Sequence, residues 1–245
     1  MKEGLYREVK TDSLLDGAIA DYRAATELDH HLTSAWQQLG SAYSSAGLYP
    51  DALLAIQHAF DEDVFLLHQN ALQRNRFDVS MLADHMDSAE SACRTGLSWT
   101  PPDPLLVDCE VQIWSRTRGD RRLAAAARAR VDSLAPSAAG SMMRPLWELW
   151  VAEILARAGL GDSADHVAQR ALAHTSVAWH SVLLPEAAYL RLLRHDPDSA
   201  LVLVAAAVRI DPVNRRYIRE APMFKALRDD PRFTAAVGGG EAPRR

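Results

Sequence analysis

Cysteine and long apolar runs are scarce in this sequence, and each shortage excludes a class of protein. Only two cysteines occur among 245 residues, Cys93 and Cys109, which is too few for a disulfide scaffold and favours buried, reduced thiols. No stretch approaches the roughly 18 consecutive apolar residues of a membrane-spanning helix, and the first residues contain no apolar signal region. We therefore predict a cytoplasmic protein with no membrane partner.

The motifs of common enzyme classes are also missing. There is no glycine-rich phosphate loop, no Gly-x-Ser-x-Gly elbow and no kinase signature. The nine histidines lack the i, i+4 pair with an intervening glutamate that zinc peptidases use. A net charge of −5 argues against a nucleic-acid partner. We predict a protein that is not an enzyme, with no catalytic residue, metal or cofactor.

What the sequence does contain is an alanine that recurs every 34 to 40 residues. A period of this length is typical of repeat architectures, in which each repeat buries its apolar face only by stacking on its neighbours. Four and seven residues beyond each alanine lie two further packing positions, as in Ala52-Ile56-Ala59. The six repeat alanines are Ala18, Ala52, Ala89, Ala124, Ala164 and Ala200.

Glycines indicate where the chain turns between helices. Gly47, Gly119 and Gly159 each lie five residues before a repeat alanine, where a glycine is expected to end a first helix. Apolar residues follow helical spacing throughout, and no segment alternates with period two for long enough to form a strand. We predict a short capping element over 213–237 and a disordered tail over 238–245. The six predicted helical hairpins are 2–30, 33–62, 63–100, 103–136, 141–175 and 178–211.

Residues 33–64 resemble the tetratricopeptide repeat family most closely. The resemblance implies an all-α fold, a right-handed α-solenoid of about six antiparallel helical hairpins over residues 1–237. It also implies a concave groove, lined by the first helix of each hairpin, that binds a protein or peptide. The first-helix residues that carry the resemblance are Trp36, Leu39, Gly40 and Tyr43.

Some hairpins depart from the family pattern. Arg128 occupies a position where a bulky apolar residue is expected, and the first helix of the third hairpin has no clear register. The first helix of the sixth hairpin has two possible registers, one of which requires an extra residue in the turn. Tyr189 would face the groove in one register and Arg191 in the other.

The resemblance assigns a polar lining with mixed charge to the groove. Such a lining suits an extended or helical peptide that is recognised through side-chain amides, hydroxyls and a few ion pairs. The predicted groove residues are Gln37, Ser41, Ser44, Ser45, Gln69, Asn70, Gln73, Glu153, Arg157, Tyr189 and Arg191. A separate basic patch of Arg116, Arg118, Arg121 and Arg122 could meet phosphate or an acidic partner, or be a solvated helix face.

Two functions follow from this reading. The first is a non-catalytic interaction module, a scaffold that binds a peptide or protein partner. The second is a regulatory or sensor segment of a larger bacterial signalling or transcription protein, which binds a ligand or self-associates. It is suggested by residues 220–233, which resemble the C-terminal repeat segments of bacterial kinases, cyclases and activators. The short first hairpin also suggests a piece of a longer protein. Oligomeric state and the identity of the partner stay open.

Overall fold

The computed structural model of the chain describes residues 2–63, 65, 68–99, 103, 106–134, 136, 138–173, 175, 177–212 and 214–238. Over this part of the chain the fold is entirely helical, as predicted, and contains no strand. The first five helices are α1 (Lys2–Leu28), α2 (Thr33–Ser45), α3 (Tyr49–Glu62), α4 (Gln69–Leu82) and α5 (Met86–Leu97).

Eight further α-helices and one 3₁₀ helix follow. They are α6 (Cys109–Thr117), α7 (Arg121–Leu134), α8 (Ala138–Arg157), α9 (Gly161–Ala173), α10 (Val177–Leu193), α11 (Pro197–Ile210), α12 (Asn214–Glu220), the 3₁₀ helix (Pro222–Leu227) and α13 (Pro231–Val237). Of the predicted tail, only Gly238 lies inside the described residues.

Five of the six predicted hairpins correspond to a pair of helices in the structure, from α2–α3 to α10–α11. The first does not, because residues 2–28 form the single helix α1 instead of two. Gly17 is the only glycine inside this segment after the first turn, and no proline interrupts it, so nothing in the local sequence ends the helix. The prediction of a hairpin over 2–30 is therefore wrong.

The chain divides into two compact units, which we describe separately. The first runs to Val107 and includes Glu220–Pro222, and the second comprises Asp108–Arg219 and the chain from Met223. In the first unit, α2 packs between α1 and α3, and α4 packs against both α3 and α5. Its core is built around Leu39, Tyr43, Ile56 and Val79.

The second unit is organised around α8. This helix packs against α6, α7, α9 and α10, while α10 pairs with α11 and α11 contacts α13. The apolar core includes Trp147, Trp150 and Ile154 of α8, together with Leu183 and Leu190 of α10. Because α8 is apolar on most of its faces, any charged side chain in its middle lies in the interior of this unit.

The repeat alanines mark the closest contacts inside each hairpin. Five of the six are buried, and only Ala18 of α1 is partly exposed. A small side chain lets two helix backbones approach closely, and larger residues of the preceding helix fill the space beside it. A Cβ at Gly40 of α2 would lie only 2.9 Å from the Ile56 side chain, which shows how tightly the α2–α3 hairpin is packed.

The turn between the two helices is the same in four hairpins. In each, one residue has a positive φ, between 58° and 74°, and the following amide donates a 2.9 Å hydrogen bond to a carbonyl five residues earlier. This is the Schellman ending of a helix, and it favours glycine at the positive-φ position. The four turn residues are Gly47, Asp84, Gly159 and His195.

Gly119 lies at the same spacing from its repeat alanine as Gly47 and Gly159 do, but its role differs from the one predicted. It does not have a positive φ, and α6 ends with Arg118 in an extended conformation. A Cβ at Gly119 would overlap the Cβ of Arg157 on α8. Glycine is needed here because α8 passes close by, and the predicted helix-capping role is wrong.

The two cysteines are buried, as predicted, but they are not thiols. Cys93 and Cys109 are both disulfide-bonded, so the prediction of reduced cysteines is wrong. No helix among the described residues has both the length and the apolar character needed to cross a membrane.

Candidate functional site

Because four hairpins share the same turn, residues of their first helices can be aligned by counting back from that turn. Three residues separate α2 from α3, and three also separate α10 from α11, so the sixth hairpin has no extra residue in its turn. Counting back from the turn, Tyr189 is equivalent to Ser41 and Arg191 to Tyr43. Arg191 is partly exposed and forms a 3.0 Å ion pair with Asp165 of α9.

Counting back from the turn also changes which residues of the third hairpin are equivalent to the predicted groove residues of α2. Arg74 and Asp78 of α4 are equivalent to Gln37 and Ser41, and they form an ion pair of 2.9 Å on one face of the helix. Gln73 was predicted to line the groove but is buried, and its Nε2 donates to the carbonyl of Ala92 on α5 at 3.0 Å. Gln73 therefore holds α4 against α5.

The predicted positions at the start of α4 are Gln69 and Asn70, which lie in its first turn. Gln69 is partly exposed and Asn70 is exposed. By the register of the turn they precede Arg74, the equivalent of Gln37, by about one helical turn.

In α2 the predicted groove residues are small and bonded to their own helix. The Ser41 Oγ donates to the Gln37 carbonyl at 3.1 Å, and the Ser45 Oγ donates to the Ser41 carbonyl at 3.0 Å. Ser44 and Gln37 are partly exposed. The Asn75 amide of α4 donates to the Ser41 Oγ at 3.4 Å, which links the first helices of two successive hairpins.

The first helices of the second unit bring five charged and polar side chains together. We call Arg116 (α6), Glu153 and Arg157 (α8), and Glu186 and Tyr189 (α10) the charge cluster. Arg116 lies at its centre: its Nη1 donates to Glu153 Oε2 and its Nη2 to Glu186 Oε2, each at 2.6 Å. Charge-assisted bonds of this length are the strongest hydrogen bonds that proteins form.

Arg157 and Tyr189 form the outer part of the charge cluster. The Arg157 Nε donates to the Ser115 carbonyl at 2.9 Å, and its Nη2 donates to the Tyr189 hydroxyl. The Tyr189 ring lies beneath both guanidinium groups, with its centroid 4.8 Å from Cζ of Arg116 and 5.8 Å from Cζ of Arg157. Both side chains are partly exposed, so this end of the cluster reaches solvent.

Glu153 was predicted to line the groove, but it is the most buried member of the cluster, with 0% of its surface exposed, so the prediction is wrong for this residue. Its Oε1 has no hydrogen-bond partner within the described residues. Burial raises the pKa of Glu153 well above its ordinary value, and the nearby Glu186 adds to the increase, although Arg116 opposes it. Folding therefore makes Glu153 a weaker acid than an exposed glutamate.

The two other shifted groups of the cluster respond to the same environment. Burial would lower the pKa of Arg116, but the carboxylates of Glu153 and Glu186 raise it above its ordinary value. Burial raises the pKa of the Tyr189 phenol, against the opposing effect of Arg157 and Arg116. Arg116 therefore stays charged and Tyr189 stays neutral at physiological pH.

The predicted basic patch separates into two environments. Arg118, Arg121 and Arg122 are exposed. Arg116 is not part of that surface, because it is held between Glu153 and Glu186, and the prediction is wrong for this residue.

Glu186 was missed by the sequence analysis, although it contacts the central arginine. It is 70 positions away from Arg116 in the chain, so no local spacing connects them. The available signal was its position within an apolar helix, since a charged side chain in such a helix is buried and requires a partner.

No protein-family model matches the chain, and no curated protein matches it. Among the described residues, no group of three histidine, cysteine, aspartate or glutamate side chains is arranged to hold a metal ion.

Proposed function

We propose that this protein is a non-catalytic interaction module, a right-handed solenoid of tetratricopeptide-like hairpins whose first helices bind a protein or peptide. The observation that carries the proposal is the charge cluster, because it unites side chains from the first helices of three successive hairpins. Arg157 and Tyr189, both partly exposed, are groove positions of the tetratricopeptide pattern, whereas Glu153 is buried and holds Arg116. A binding groove requires this kind of cooperation between repeats.

The outer part of the charge cluster supplies the recognition chemistry. Arg157 uses two of its five N–H donors on Ser115 and Tyr189, and a guanidinium can bind a carboxylate with two parallel hydrogen bonds. The Tyr189 ring offers an aromatic face beside it. We therefore expect a peptide with an acidic side chain next to an apolar one.

Selection from a random peptide library displayed on phage tests the proposal. Enriched sequences should carry an acidic residue, and fluorescence anisotropy on the full chain should show saturable binding. The Arg157→Ala variant should weaken binding at least about tenfold, because it removes a charge-assisted contact. The matched control is Arg209→Ala, which removes an exposed arginine from the second helix α11.

Two results would count against the proposal. One is a library that yields no peptide with saturable binding. The other is an Arg157→Ala variant that folds normally by circular dichroism and binds selected peptides as tightly as the Arg209→Ala variant does.

The second candidate, a regulatory segment that self-associates, is supported by a different observation. Leu54 and Val202 occupy equivalent positions, two residues after a repeat alanine, and expose 59% and 68% of their surface. Apolar side chains at matching positions of two hairpins suit a contact with a second copy. Light scattering distinguishes the candidates, since a monomer at high protein concentration contradicts self-association.

A further inference from the structure

A solvent-open cleft in the second unit lies between α7, α8 and α9. Its volume is about 610 Å³, which is within the range of small-molecule sites. The cleft has an apolar floor and a polar rim. Floor residues include Val151 and Leu155 of α8 and Val167 of α9.

Arg128 gives this cleft a charged side chain at a position of the repeat that is small or apolar elsewhere. It occupies the position four residues after the repeat alanine, and the equivalent residue in the other four hairpins is a buried small or apolar one. Arg128 is only partly buried and lines the cleft instead of filling it. The buried equivalents are Ile56, Cys93, Ala168 and Val204.

The rim of the cleft carries positive charge that the protein does not neutralise. Arg121, Arg128 and His166 line the cleft, and none of them has an ion pair or side-chain hydrogen bond among the described residues. Arg121 and Arg128 are seven residues apart on α7, so they lie on one face about 10 Å apart along the helix. Asp162 is the one acidic residue of the lining, and it leaves a net positive charge.

A neighbouring cleft of the same unit provides the comparison. It lies between α9, α10 and α11 and has nearly the same volume, about 620 Å³. Its charges are already paired: Arg191 with Asp165 at 3.0 Å, and Asp198 with Arg232 at 2.7 Å. The two clefts therefore do not differ in size. They differ in charge, because only the α7–α8–α9 cleft is lined by arginines without an ion pair among the described residues.

From this difference we infer that the α7–α8–α9 cleft binds a small amphiphilic monocarboxylate, with the carboxylate on Arg128 and an alkyl or aryl body on the apolar floor. Arg128 is the partly buried donor, and an arginine in a partly dry site binds a carboxylate more strongly than an exposed one does. Arg121 and His166 are exposed at the rim, where the charge of Arg121 raises the local concentration of anions. One negative charge matches the excess of the two arginines over Asp162.

Isothermal titration calorimetry with decanoate as the probe tests this inference on the full chain. We expect saturable binding to one site, and binding of the uncharged decan-1-ol at least about tenfold weaker because it makes no charge-assisted bond. Arg128→Leu should weaken decanoate binding by at least about tenfold. Because leucine restores the apolar residue of the repeat pattern, this variant should unfold at the same temperature as the parent protein or a higher one.

A matched pair of blocking variants locates the site. Ala125→Trp places a bulky ring in the α7–α8–α9 cleft and should abolish binding, whereas Gln169→Trp places the same ring in the α9–α10–α11 cleft and should leave it unchanged. Both positions are exposed, so both variants should fold. The inference is overturned if Ala125→Trp and Arg128→Leu bind decanoate like the parent protein, or if decan-1-ol binds as tightly as decanoate. None of these results depends on whether the charge cluster binds a peptide.

Discussion

Two arginines of the second unit each bridge two carboxylates, with nearly identical geometry and opposite surroundings. Arg116 contacts Glu153 and Glu186 at 2.6 Å, and Arg232 contacts Asp198 at 2.7 Å and Asp230 at 2.8 Å. The Arg116 side chain is 13% exposed, whereas that of Arg232 is 61% exposed. Distances alone would rate the two groups as equal.

The two groups of ion pairs differ in their contact with solvent. Around Arg232, water screens the charges and already satisfies them in the unfolded chain, so their pairing contributes little. Around Arg116, the guanidinium and two carboxyl groups have left water, and both carboxyl groups accept a hydrogen bond from Arg116. The buried group is therefore expensive to disrupt, although its net contribution to stability can be small. It fixes the relative positions of α6, α8 and α10, which is the requirement of a binding surface built from several helices.

Removing the central arginine of the buried group should have the largest effect. Arg116→Met leaves Glu153 and Glu186 without their cation, and the loss of one partner of a buried pair costs about 3–5 kcal/mol. Urea denaturation followed by far-ultraviolet circular dichroism should show this decrease in the free energy of unfolding.

A triple replacement distinguishes a broken charge group from a general loss of packing. Changing Arg116, Glu153 and Glu186 together to Met removes all three charges, so most of the stability lost in Arg116→Met should return. A single variant that loses less than about 1 kcal/mol would contradict our account of the charge cluster.

The pH dependence of stability should show the second-largest effect. The pKa of Glu153 is raised in the folded protein above its ordinary value of 4.5, so the folded state binds a proton more tightly than the unfolded state does. The stabilisation is complete below pH 4.5 and is lost as the pH rises through the folded-state pKa. The parent protein should therefore lose stability relative to Glu153→Gln, which cannot titrate, by up to about 1.4 kcal/mol per pH unit within that window.

Urea denaturation of both proteins between pH 4.5 and pH 8 measures this difference. The curves should converge at low pH and separate as the pH increases, with the variant above. Parallel curves over the whole range would show that Glu153 does not retain its proton in the folded state.

The helices and their turns could largely be predicted from the sequence, because they depend on local patterns of residues. The repeat alanines located five hairpins to within a few residues, and Gly47 and Gly159 marked turns whose geometry requires a positive φ. Asp84 and His195 form the same turn without glycine, so only the structure identifies it there. The prediction of the first hairpin was wrong because an alanine at the repeat spacing does not by itself require a preceding turn.

The charge cluster could be predicted from the sequence only in part. Glu153, Arg157 and Tyr189 followed from the helical register, but the register says nothing about which charges meet across hairpins. Glu186 and Arg116 are brought together by the packing of α10 and α6 against α8, which depends on side-chain volumes along all three helices. For the same reason Arg116 was grouped with Arg118 and Arg121, its neighbours in the chain.

The exposed group should show the smallest effect. Arg232→Met removes two short ion pairs, yet the urea midpoint should stay within experimental error of the parent value, because water replaces the guanidinium around Asp198 and Asp230. Any small difference at low salt should vanish at 1 M NaCl, where the screening length is about 3 Å. The effect of Arg116→Met should persist at that salt concentration, since buried charges are screened much less. A decrease of the urea midpoint in Arg232→Met as large as that in Arg116→Met would contradict this comparison. Burial would then not be the property that separates the two groups. The central role that we give to Arg116 would have to rest on its position between three helices instead.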